Sequence, residues 1–196
     1  WGLAEKIPQL DDIKAWIKET VVGMNTLSVY TQDLTARQLL QLQYFLQTIS
    51  HDSQFIKKID GRHIEIPVRY GGEYGPDLLD LAQQKNMTVR ELVERHTAPI
   101  YTVYFMGFQP GFPYLGGLSP ELYSPRHAVP RLQVPAGSVG IGGEQTGIYP
   151  FASPGGWQLL GRTELPLFNL KNEQPTLLQA GDTLSFVAID VIEERL

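Results

Sequence analysis

The chain has 196 residues, 42% of them apolar, and a formal net charge of −5, which is enough for one large domain or two small ones around a real core. The acidic balance argues against a nucleic-acid partner, because phosphate binding needs a basic face. No run of like charge marks a membrane-surface patch and no apolar stretch approaches the ~18–20 residues that span a bilayer. The absence of cysteine excludes disulfides, thiolate nucleophiles and Cys-type zinc sites, and fits a cytoplasmic protein.

In chain order, Trp1, Leu3, Ala4 and Ile7 read as the middle of a helix. A preceding piece of the chain is therefore expected to be missing, with a lost targeting segment left open. Ile13, Ala15 and Ile17 alternate with Lys14, Trp16 and Lys18, which predicts a strand. A second strand is expected over 25–31. Leu39, Leu42, Leu46 and Ile49 recur at spacings of three and four, one face of a helix from about Thr35 to Ser50. His51–Gly61 is polar and loop-like. Ile64, Ile66 and Val68 predict a further strand, and Pro67, which lacks an amide hydrogen, makes it an edge strand or one that switches sheets.

Gly71–Pro76 is a turn cluster, with Pro76 in the first turn of a short helix reaching Asn86. Thr88 and Glu91 form a capping box that starts a second short helix, ending near Thr97. Ile100–Phe108 is a strongly apolar strand. Beyond it, turn signals recur every few residues, among them Pro110-Gly111, Gly116-Gly117, Gly142-Gly143 and Pro154-Gly155-Gly156, with short apolar runs between them. Many short strands with frequent turns predict a small β-barrel or sandwich. Two domains are expected: an α/β domain over 1–61 and a mostly β domain over 62–196 that carries the helical pair.

Standard catalytic motifs are missing. No P-loop is present. Gly137, Gly140 and Gly142 offer a glycine run that reads as a phosphate cradle or, more plainly, as a tight turn. Ser138 lacks the flanking glycine of a nucleophile elbow. The histidines His51, His63, His96 and His127 sit at no metal-ligand spacing, so no metal site is expected. His51 and His63 read as solvent-facing. His96 ends the capped helix, where the helix C-terminus favours a positive imidazole; a structural cap and a site role both remain open.

Residues 132–161 hold a single formal charge, Glu144, amid glycines, prolines and neutral polar groups. That texture suits a wall approached closely by a ligand or a partner chain. A compact barrel with tight corners explains the glycines as well, but the missing charges less well. Arg126 and Arg131 lie just before this wall and, as a pair, suit a carboxylate or phosphate; two surface arginines are the plainer reading. Aromatic residues crowd the same third of the chain: Phe105, Phe108, Phe112, Tyr114, Tyr123, Tyr149, Phe151 and Trp157. Most should be core, but the prolines and glycine of 108–114 predict an exposed turn that presents Phe108, Phe112 and Tyr114 to a partner.

Four long motifs then carry a resemblance. They are Gly107-Phe-Gln-Pro-Gly-Phe-Pro-Tyr-Leu-Gly116, Val134-Pro-Ala-Gly-Ser-Val139, Gly143-Glu-Gln-Thr-Gly-Ile-Tyr-Pro150 and Ser153-Pro-Gly-Gly-Trp-Gln-Leu-Leu-Gly-Arg-Thr163. Tyr70-Gly-Gly-Glu-Tyr-Gly-Pro-Asp-Leu78 and Glu94-Arg-His96 add to them. Together they resemble the KipI/allophanate-hydrolase-subunit-1 family, which includes the B subunits of bacterial 5-oxoprolinases. The resemblance spans about Ile64 to Phe186 and extends weakly to Gly23-Met-Asn25.

The resemblance implies an α+β protein with an N-terminal ferredoxin-like domain, preceded by a short strand, and a C-terminal cyclophilin-like β-barrel. It implies a non-autonomous hydrolase component that acts with subunits A and C and with ATP and its Mg counter-ion to convert 5-oxoproline to glutamate. Residue type, not the resemblance, then suggests roles within it: Arg126 or Arg131 would meet the carboxylate. Gly137, Ser138, Gln145 and Thr146 would supply donors to the lactam oxygen, and His96 would move a proton. Tyr149 and Trp157 would complete the surface for substrate or partner. Relatives imply two alternatives: an inhibitor of a sensor histidine kinase, or a carboxyltransferase subunit of a urea carboxylase or allophanate system. The chain has no Met-Lys-Met of a biotin carrier.

Overall fold

The structure, a computed structural model, describes residues 1–50 and 61–194. The chain divides into two compact units, Trp1–Asp60 and Gly61–Leu196. The expected loop over His51–Gly61, His51 included, lies outside the described residues apart from Gly61.

In the first unit a short helix α1 (Gly2–Lys6) leads into a 3-10 turn, then β1 (Ile17–Val22) and β2 (Leu27–Thr31) pair as an antiparallel hairpin. The strand expected from Ile13 begins only at Ile17. Lys14–Trp16 is a 3-10 turn, because the amides of Lys14 and Trp16 bond to the carbonyls of Leu10 and Ile13 and are not free for a ladder. Helix α2 (Ala36–Ile49) opens on a capping box in which Thr35 accepts from the Gln38 amide and Gln38 accepts from the Thr35 amide. Its inward face is Leu42, Phe45, Leu46 and Ile49. Leu39, expected on that face, is 55% exposed, since packing starts one turn further into the helix.

The second unit is built on a closed seven-stranded barrel. Its strands are β3 (His63–Gly71), β4 (Tyr101–Met106), β5 (Pro113–Gly116), β7 (Ser138–Gly142), β8 (Gln145–Ile148), β10 (Gln158–Arg162) and β11 (Thr183–Ile192), in the order β10-β3-β11-β4-β5-β8-β7. Two further strands, β6 (Arg131–Val134) and β9 (Ser153–Gly155), form a separate ribbon. Closure leaves no sheet edge to protect. The strand carrying Pro67 is therefore not an edge: β3 lies between β10 and β11. Yet β10 reaches it only at Arg69 and Tyr70, so the missing Pro67 amide costs no bond on that side.

Helix α3 (Leu78–Gln84) begins after Asp77, with Pro76 ahead of the cap and not in the first turn. Helix α4 (Val89–Thr97) carries the expected Thr88–Glu91 capping box. Leu78, Leu81, Leu92 and Val93 on these helices join Ile66, Val68, Val139, Ile141, Ile148, Leu160 and Phe186 of the barrel in one core. Each fully buried side chain of this size contributes about 1.5–3 kcal/mol. The charge-free run follows from this architecture. Every residue of β7 is buried, as are most of β8 and β10, so the compact-barrel reading accounts for 138–148 and 158–161. Among the described residues no helix is long and apolar enough to cross a membrane.

Candidate functional site

Of the rest of the charge-free run, Tyr149 and residues 154–157 wall a small cup. Phe112 sits at its centre, nearly fully buried, against Phe108, Tyr149 and Trp157 in edge-to-face contacts at ring separations of 5.4, 5.4 and 5.6 Å, and tilted on Tyr114 at 5.1 Å. These are favoured quadrupole geometries. Glycine makes the room: a Cβ on Gly155 would lie 2.5 Å from the Tyr149 hydroxyl, and one on Gly142 would lie 2.4 Å from the Trp157 indole nitrogen. The cup encloses about 110 Å³ and is lined by these rings, by Pro154, Gly155 and Gly156, and by Arg126.

Phe108 forms the rim. It is 63% exposed and held at φ +64, a left-handed conformation that a bulky side chain rarely adopts. The turn that imposes it is closed by Phe112 N donating to Gln109 O and Gly107 N to Phe112 O. Strain of this kind persists where the surroundings over-determine it and clusters at ligand and partner sites. The expected exposed turn is thus half right: Phe108 is presented to solvent, while Phe112 is core, because the turn folds its ring back between Tyr149 and Trp157.

Arg126 places its guanidinium 5.9 Å from the Trp157 ring centre. It is exposed and makes no ion pair among the described residues. It is the free cation of the cup. Burial pushes the Tyr149 phenol up, against the lowering effects of the Trp157 amide and of Arg126, so the cup presents a neutral hydroxyl.

Arg131 is not free, and the expected arginine pair dissolves. Its Nη2 donates to Asp77 Oδ1 at 2.5 Å. The other oxygen of Asp77 accepts from the Leu159 amide at 2.6 Å and lies 3.3 Å from His127 Nε2. Asp77 is a buried anchor that fixes the loop holding Arg126, and sequence reasoning missed it. Its available signal was a carboxylate directly after Pro76, at the cap of α3.

None of the remaining expected donors lines the cup. The Gly137 amide donates to Tyr149 O and the Ser138 amide to Pro135 O. Gly137 is at φ +78, and a Cβ there would meet Thr163 O at 2.0 Å. Ser138 is 1% exposed, which removes it as a nucleophile. Gly140 and Gly142 belong to the buried strand β7 and form no cradle. Gln145 opens β8, paired with Gly142 across the hairpin, outside the cup; Thr146 is fully buried.

His96 is also fully buried. Its Nδ1 and Nε2 lie 2.9 Å from the Tyr70 hydroxyl and from Thr146 Oγ1, and its ring stacks on Phe186 at 4.7 Å. Thr146 donates its one proton to Gly140 O at 3.0 Å. It must therefore accept from His96 Nε2–H, which leaves Nδ1 to accept from Tyr70. The positive imidazole expected at the helix end is overturned: burial lowers His96 to about 3. The desolvation cost of a buried cation exceeds the ~0.3–1 kcal/mol a helix terminus supplies. The tautomer is locked and the residue has no solvent-exposed surface, so His96 ties α4 to the barrel.

The sequence matches the family described as carboxyltransferase domain, subdomain C and D, over residues 3–178. It is 50% identical over 192 residues to the 5-oxoprolinase B subunit of Haemophilus influenzae, covering 95% of this chain and 84% of that protein. With the 5-oxoprolinase B subunit of Escherichia coli O157:H7 it is 45% identical over 187 residues, covering 95% and 83%. Among solved structures, a conserved uncharacterized protein from Pyrococcus horikoshii superposes with a TM-score of 0.64 at 41% identity, covering 95% of this chain and 86% of that one.

Proposed function

We propose, on the premise that this chain belongs to the carboxyltransferase-domain family of subdomains C and D and groups there with the 5-oxoprolinase B subunits, that it is the B subunit of an ATP-dependent 5-oxoprolinase converting 5-oxoproline to glutamate. The observation that carries this reading is the 50% identity sustained over 192 residues with a protein of that name. The cup supports it chemically. Arg126 is a free guanidinium for the carboxylate of a small ring, and the aromatic walls pack the ring's methylene faces while excluding water.

The site is half a site in this chain. The lactam oxygen needs donors, and the amides nearest in sequence are spent in the ladder. We assign the missing donors to partner subunits C and A. Exposed apolar side chains are available for that contact: Phe108 on the rim, and Leu132, 91% exposed on β6, whose ladder partner β9 walls the cup. ATP, with Mg, would activate the weakly electrophilic amide by phosphorylating its oxygen. A cup of about 110 Å³ is well below the ~300–1,000 Å³ of ordinary ligand sites, and no group of three metal-ligating side chains occurs among the described residues. We assign the nucleotide to a surface that a partner supplies, outside the cup. The protein acts in the cytoplasm, and its two units correspond to the ferredoxin-like and cyclophilin-like domains, 1–61 and 62–196. The family description also favours a second reading, a carboxyltransferase subunit.

Co-purification with subunits A and C, followed by an assay of ATP-dependent glutamate release from 5-oxoproline, tests the proposal. Activity should require all three chains, and Arg126→Ala should lower kcat/KM at least tenfold. Glutamate release in no combination would overturn the reading, and biotin-dependent carboxyl transfer in its place would establish the second one.

A further inference from the structure

Independently of that reading, we infer that the barrel carries a second binding site, for a small oxyanion, built from Arg69, Arg162 and Tyr74. Arg69 on β3 and Arg162 on β10 are direct cross-strand partners, so both side chains leave the same face of the barrel wall with like charges side by side. That arrangement is destabilising unless something neutralises it. Both guanidinium groups lie over the ring of Tyr74, at 5.6 and 4.8 Å from its centre. Together they line a concavity of about 170 Å³ whose apolar part is Pro67, Leu165 and Ile189.

No ion pair among the described residues takes up these charges. The Nε of Arg69 is buried without any hydrogen-bond partner. A guanidinium donor removed from water and left unbonded is costly, and proteins leave few of them. Two acids face the pair, Glu164 at the rim and Asp190 across from Arg69 on β11, and neither pairs with it. Two planar forks beside an aromatic face and an apolar floor match the oxygens of a carboxylate or phosphate group.

This site shares no lining residue with the cup. Trp157 and Arg162 are separated by about 16 Å of extended chain along β10, so an anion here does not touch Arg126. Arg162 and Tyr74 come from two of the motifs, and neither residue lines the cup.

Titration calorimetry and thermal melting of the full chain with inorganic phosphate and with glutarate, at constant ionic strength against chloride, test the site. One saturable equivalent should bind and raise the melting temperature. Arg162→Gln should weaken binding at least tenfold without lowering the melting temperature in chloride alone, because it removes a like-charge contact. Glu164→Gln should tighten binding severalfold, and Arg126→Ala should bind as the parent does. Stronger binding of phosphate than of glutarate identifies a phosphoryl ligand, and the reverse a carboxylate; either supports the site. No saturable binding, or unchanged binding by Arg162→Gln, would overturn it. So would a melting temperature of Arg162→Gln in chloride that falls as a purely structural stack requires, and so would loss of binding in Arg126→Ala. An inactive three-subunit complex would leave this result untouched.

Discussion

The cup and the His96 cluster use the same ingredients and do opposite things with them. Both are aromatic-rich, both draw on the motif segments of the barrel unit, and both contain a residue type that catalysis favours. Around His96 every polar atom is spent: Tyr70 gives to Nδ1, Nε2 gives to Thr146, and Thr146 gives to Gly140. In the cup Arg126 rests on Trp157 with its donors uncommitted, and Phe108 is strained and open to solvent. Capacity for chemistry follows the unspent groups, whereas a satisfied buried network supplies stability and a unique packing.

The sharpest way to break this comparison is at His96. His96→Ala should cost about 3–4 kcal/mol, from a buried cavity and from two hydroxyls that lose partners. Denaturant unfolding measures it, and a cost below about 1 kcal/mol would mean the cluster is not structural. Asp77→Ala should come next, at about 2–3 kcal/mol, because the Leu159 amide and the Arg131 guanidinium are left unsatisfied. In the active complex it should also raise KM more than it lowers kcat, since it loosens the loop that aims Arg126.

Acid should then show the buried imidazole directly. Native His96 titrates at about 3, far below the ordinary value near 6.5. Below pH ~6.5 the unfolded chain therefore takes up a proton that the native state refuses. Stability is fully present above that pH and falls by up to about 1.4 kcal/mol per unit down to the native value, roughly 2 kcal/mol between pH 7 and 5. His96→Gln should flatten this part of the profile; an unchanged slope would place the titration elsewhere. Asp182 adds to the loss at lower pH. Burial raises it, but hydrogen bonds from the Arg62 side chain and from the Arg62 and Gln179 amides outweigh that and hold it below the usual carboxylate range.

The smallest effects on stability belong to the cup. Phe108→Gly should change stability by no more than about 0.5 kcal/mol, because relief of the left-handed strain offsets lost ring contact and added chain entropy. It should nonetheless weaken assembly with the partner subunits, measured by co-elution. A large stability loss with intact assembly would reverse the assignment of core and rim.

Much of this was legible locally. The Thr88–Glu91 capping box and the turn-punctuated strands are set by neighbours in sequence, and the structure holds them as read. The crowding of aromatics also pointed to the right third of the chain, because rings that large must gather somewhere. The failures share a cause. Arg131 is claimed by Asp77, 54 residues away, and His96 by Thr146, 50 residues away. The Gly137 amide is claimed by a carbonyl on the next hairpin arm. No local pattern reports such partners.

By itself, then, the sequence determined the element types, the barrel texture and the family, because propensity, capping and motif order are properties of short stretches. Only the tertiary structure decided that Arg126 is free and Arg131 is not, that Phe112 is core and Phe108 rim, and that His96 is neutral. Each of those depends on which distant group removes a side chain from water, and barrel closure settles that.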